Sequence, residues 1–141
     1  MGKISVSRLI LGGIVAGIVA NLLDYLVDGV LLGPMWNHQL ETWGRPPFSG
    51  SQVAWSLGSG IIIGLVAVWI YAGIRPRFGP GVKTAIYAGV AVWIVSALIP
   101  NFTLMWVLHF FSGHLTAYTT LGALFEIVIG TIAGAAVYKE A

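Results

Sequence analysis

Cysteine is absent from this 141-residue chain, which excludes disulfides, thiolate metal sites and iron–sulfur ligation. Charge is nearly as scarce. Charged residues make up 9% of the sequence, against roughly 25% in soluble proteins, and so few could not cover a water-soluble surface of this size. No second, soluble domain fits. The chain is instead 57% hydrophobic, with a mean hydropathy of +0.89. These values describe an integral membrane protein forming one domain over residues 1–141. Six Trp and five Tyr suit two membrane interfaces, where a ring with an apolar body and a polar edge is accommodated.

Four stretches are long enough to cross a hydrocarbon core, which takes about 20 apolar residues. They are residues 9–32, 53–74, 84–108 and 118–138, and they predict an all-α four-helix bundle. Pro100 lies in the third, which either ends near Ile99 or continues as a kinked helix; the kink is the expectation. Lys3 and Arg8 before an apolar run resemble a secretory signal, but the run is too long, carries acidic residues and lacks a small-x-small cleavage pattern. It reads as a retained span. Gly2 does not mark myristoylation, because that motif needs Ser or Thr at position 6 and the residue there is Val6.

Orientation follows from the basic residues. Lys3, Arg8, Arg75, Arg77, Lys83 and Lys139 flank one side of the spans, and only Arg45 flanks the other. The positive-inside rule therefore puts both termini and the connection "IRPRFGPGVK" in the cytoplasm. The first outer loop, "GPMWNHQLETWGRPPFSGSQ", carries Trp36, Trp43 and Phe48, expected to lie flat on the interface. The "NFT" at Asn101 abuts the membrane and reads as a chance match to a glycosylation acceptor. An echo of "IYAG" at Ile70 and Ile86, and of "VAVWI" at Val66 and Val90, is too short to establish duplication or an inverted repeat.

At 100° per residue, Gly13, Gly17, Asn21, Asp24 and Asp28 fall within an arc of about 80°. That stripe cannot face lipid. Ser56, Gly60 and Gly64 form a small-residue ridge on the second span, and Gly122, Glu126, Gly130 and Gly134 form one on the fourth. The glycines predict close helix packing and carry no chemistry of their own. The carboxylates share their faces and so point into the bundle.

Only five residues are acidic, and three of them, Asp24, Asp28 and Glu126, lie within spans. An unpaired charge at membrane depth costs at least ~2.5 kcal/mol, and no span supplies an intramembrane Lys or Arg. Compensation falls to protonation, water, a bound cation, a partner protein, or polar neighbours such as Asn21, Ser56, Ser59 and Thr131. Asp24 and Glu126 are each ~12 Å below the outer boundary on antiparallel helices, so they can meet. Two carboxyls that close should not both be ionised. They are expected to share a proton or a cation, with Asn21 as a hydrogen-bond partner and Asp28 lining the outward route. Both a proton or cation site and a structural hydrogen-bond cluster answer to this pattern, the latter favoured for Asp28.

His38, His109 and His114 lie outside the hydrocarbon region and are candidate metal ligands at the outer mouth. Their spacing matches no zincin or facial-triad signature, and solvated interfacial histidine is the plainer reading. Nothing resembles a phosphate loop, a nucleophile elbow or a haem-binding pair, and no cofactor is implied. The basic connection is too short to indicate nucleic acid rather than topology and lipid headgroups.

A Gly-rich first span ending in "GVLLGPMW", a second running into "VWIYAGIRPRFGPGVKTA", and a last span with an intramembrane Glu and a Lys-Glu tail resemble a group of small four-helix bacterial membrane proteins of unknown function. The resemblance covers most of the chain and implies a bacterial cytoplasmic (inner) membrane; it carries over no functional residues. Function then divides three ways. The leading reading is a non-enzymatic bundle, self-associating as a homo-oligomer or a subunit of a membrane complex, with the lipid bilayer as its main partner. The second is a small proton- or cation-coupled channel or transporter using Asp24 and Glu126. An intramembrane enzyme using the outer histidines is the third.

Overall fold

The structure, a computed structural model, describes residues 3–138. Gly2, Lys139 and Glu140, which entered the readings of lipidation, topology and the C-terminal tail, lie outside the described residues. Every element described is helical. Helix α1 (Val6–Asp24) continues without a break as π-helix over Tyr25–Leu31 and is followed by short α2 (Gly33–Thr42). Helix α3 (Gly50–Phe78) comes next. Helix α4 (Val82–Trp93) passes through a π-helical stretch, Ile94–Leu98, into α5 (Ile99–Trp106), and α6 (Gly113–Val137) completes the order.

Four of these runs, Val6–Leu31, Gly50–Phe78, Val82–Trp106 and Gly113–Val137, are long and apolar enough to cross a membrane. At 1.5 Å per residue they reach about 38 to 44 Å, more than the ~30 Å of a hydrocarbon core. Each starts before the corresponding hydropathic stretch because polar residues open it. Ser49 and Gln52 form a reciprocal capping box at the start of α3, and the Ser112 hydroxyl accepts the Leu115 N–H at the start of α6. The tight connection after α3 needs glycine at two positions, Gly79 and Gly81, whose φ angles are 83° and 120°. Thr84 donates to the Gly79 carbonyl at 2.6 Å, and the Tyr71 hydroxyl accepts the Gly81 N–H at 3.1 Å.

The third span does not end at Pro100. Proline has no N–H and its ring crowds the carbonyl four residues back. The chain answers by widening to i→i+5 bonding just before it, with the Ile99 N–H reaching the Ile94 carbonyl, and helix resumes to Trp106.

The packing inverts that of a soluble domain. The interior is built from small residues, Ala16, Ala67, Val68, Ala72, Ala85 and Ala88, while Leu22, Ile62, Trp69, Val95 and Phe125 lie on the outside. Large apolar groups around all four spans are what lipid accepts and water does not. Helix α1 lies between α3 and α6, and α4 packs on α3 and α6. A Cβ on Gly13 would come within 2.6 Å of Leu65 Cα, one on Gly17 within 2.6 Å of Ile61 Cα, and one on Gly130 within 2.6 Å of the Ala16 carbonyl oxygen. Gly64 faces Gly13 and Gly17 directly, and Gly134 faces the Gly12 carbonyl. The ridges thus meet backbone to backbone. The sequence echo has no structural counterpart: Tyr71 is 3% exposed at the core and Tyr87 is 43% exposed.

Candidate functional site

Asp24 is the last residue of α1, and Asp28 lies one turn on, in the π-helical continuation. The wider turn keeps both on the side that faces α6, where Glu126 is buried. One carboxylate oxygen from each of Asp24, Asp28 and Glu126 lies within 4.8 Å of the other two. The two carboxyls expected to meet across antiparallel helices do so, and Asp28 joins them rather than lying beyond them. Past Arg8, the first span carries no basic residue, and past His114 neither does the fourth.

The three carboxyls differ in what satisfies them. Asp28 Oδ1 accepts two hydrogen bonds, from Trp36 Nε1 at 2.9 Å and from Thr119 Oγ1 at 2.8 Å. Glu126 is the most deeply placed, 5% exposed, and its buried Oε1 has no hydrogen-bond partner among the described residues. Gly122, one turn before it on α6, leaves the room: a Cβ there would sit 2.6 Å from Val27 Cγ1 and 3.3 Å from Glu126 Oε1.

Asn21 does not serve the carboxyls. Its amide donates to the Leu57 carbonyl on α3 at 3.0 Å, and its side chain occupies the space that a Cβ on Gly60 would take. It ties α1 to α3 one turn below the cluster. The other polar neighbours are satisfied locally, as Ser and Thr in helices often are. Thr131 donates to its own helix at Ile127, Ser59 donates to Trp55 and Ser56, and Ser56 lies on an exposed face.

Trp36 and Thr119 supply what those residues were expected to supply. Trp36 does not lie flat on the interface: α2 folds back over the end of the bundle and aims the indole N–H at Asp28, while the ring packs edge-on against Phe48 and Phe111. Trp43 donates to the Phe110 carbonyl at 3.1 Å, and Gln39 Oε1 accepts the Ser112 N–H at 3.2 Å. Helix α2 is thereby fastened to the segment before α6. On the far side of α6, Thr120 is bonded by Trp93 Nε1 through its carbonyl and by Asn101 through its hydroxyl. Asn101, the glycosylation match, is thus engaged within α5.

The histidines are not part of the cluster. His38 and His109 line a cleft of about 690 Å³ between α2 and residues 109–112, together with Trp43 and Phe110. All three histidines are exposed, and His114 does not line the cleft.

Fold and site together define an all-helical, multi-pass membrane protein with three carboxyls meeting between its first and last spans. Comparison with known protein families, curated proteins and solved structures finds no match.

Proposed function

We propose that this chain is a small cation-coupled membrane protein that binds a proton or metal cation at Asp24, Asp28 and Glu126. Glu126 carries the reading: its buried Oε1 has no hydrogen-bond partner among the described residues, and its carboxyl stands beside two further carboxyls. A cluster that merely fixed the bundle would have each member paired, as Asp28 is, because an unsatisfied buried acceptor costs about 1–3 kcal/mol. A cation supplies that pairing.

In the membrane the termini and the 79–81 connection face the cytoplasm, so the cluster occupies the outer half of a bacterial inner membrane. Beneath it the helices pack backbone to backbone at Gly13, Gly17, Gly64, Gly130 and Gly134. An apolar void between Ala16, Gly64, Ala67 and Ile127 has a volume of about 10 Å³, room for one water at most. That close packing supports a carrier, or a component of an oligomeric pathway, over an open pore through one chain. Reconstitution into liposomes tests the reading. The wild type is expected to move protons or cations under an imposed gradient, and Asp24→Asn with Glu126→Gln to remain folded and lose at least tenfold of that flux. Undiminished flux in the folded double variant, or none in the wild type, overturns it.

A further inference from the structure

We propose that the cation is the divalent ion calcium, held by Asp24, Asp28 and Glu126. The inference rests on the cation-site reading above and names its ligand. All the donors are carboxylate oxygens, a hard set that suits calcium, magnesium or manganese and not the softer transition metals. Hydration then separates the two commonest. The three oxygens lie within 4.8 Å of one another, with Glu126 buried and both aspartates half-buried, and calcium draws its 6–8 ligands readily from protein oxygens. Magnesium dehydrates reluctantly, keeps several waters and is held through one or two carboxylates, so a set of three in the bundle suits calcium.

Charge points the same way. A monovalent ion would leave two net negative charges among three carboxylates in a low-dielectric bundle; a divalent ion leaves one. That remaining charge has its donors in place, since Trp36 and Thr119 both bond Asp28 Oδ1. They fix the carboxylate's orientation in the way second-sphere donors hold a ligand. Glu126 Oε1, without a partner among the described residues, joins the set; with Asp28 Oδ1 taken by its two donors, the three carboxylates offer five oxygens, and one water makes up the six ligands that calcium takes at minimum.

The test uses the full chain in detergent micelles. Calcium titrated by calorimetry is expected to bind at one site per chain, and Glu126→Gln to weaken binding at least tenfold, while His38→Ala, in the separate cleft, leaves it unchanged. Terbium, a calcium mimic, should luminesce when excited through tryptophan, and Trp36→Phe should quench that signal. Should Glu126→Gln fail to fold, the wild type alone decides: calcium must raise its melting temperature, and sodium at equal ionic strength must not. Two negative results are distinct. Absence of saturable calcium binding with carboxylate-dependent proton flux intact overturns the divalent ion and leaves the cation-site reading standing; absence of both binding and flux overturns both.

Discussion

Replacing Trp36 by Phe keeps a ring against Phe48 and Phe111 and removes a single donor, the Nε1–H that lies 2.9 Å from Asp28. Hydrogen bonds between helices in a membrane are worth about 0.6 kcal/mol on average and up to ~1.7, and this one goes to a carboxylate. The Trp36→Phe and Thr119→Val variants should each be less stable by about 1 kcal/mol in micelle denaturation. Because both donors serve one oxygen, their double variant should cost more than the sum; strict additivity would show that the two donors act independently of each other. Residue by residue, the sequence was readable where helical geometry alone decides. Asp24 and Glu126 meet because their depths and faces follow from counting along straight helices. Trp36 was not readable, because its position depends on the bend at Leu32, where the helical geometry breaks and α2 takes a new course. Asn21 was misassigned for a related reason: periodicity put it on the carboxylate stripe, but α1 touches two helices along that stripe, and the space at Gly60 turns the amide toward α3.

The first helix shows how little distance separates its neighbours. Gly130 faces the Ala16 carbonyl oxygen and Gly17 faces the backbone of Ile61, so a larger side chain at either position must push whole helices apart. Gly17→Leu and Gly130→Leu are expected to destabilise by more than the 1–3 kcal/mol usual for overpacking a core, or to prevent assembly, whereas Val19→Leu should change stability by less than about 0.5 kcal/mol. Equal tolerance of all three would refute backbone-to-backbone packing. The ridges themselves were visible in the spacing of Gly13, Gly17, Gly64, Gly130 and Gly134. Their division was not: Gly12 and Ala16 turn to α6, while Gly13 and Gly17 turn to α3. The two π-helical stretches were also invisible to a reading made at 100° per residue. Pro100 accounts for one of them, since widening the turn before it lets the span continue, and the other carries Asp28.

At the scale of the whole molecule, the alternation of the four spans puts Arg8, Arg75 and Lys83 at one end and Arg45 at the other. Cysteines substituted for exposed Pro80 and exposed Glu41 should divide accordingly. In intact cells an impermeant thiol reagent is expected to label Glu41→Cys and spare Pro80→Cys; the opposite pattern would invert the topology. The hydrogen bond from Thr119 to Asp28 joins residues 91 apart in the chain, and that separation bears on biogenesis. A ribosome adding about 5 to 20 residues per second delivers Thr119 roughly 5 to 18 s after Asp28, and Glu126 later still. During that interval the first span must reside in the translocon or the bilayer with two aspartates whose partners on the last span, Thr119 and Glu126, do not yet exist. Protonation, water or a chaperone would have to satisfy the two carboxyls in the nascent form. The contacts of Asp24 and Asp28 with the last span can form only after that span has been made.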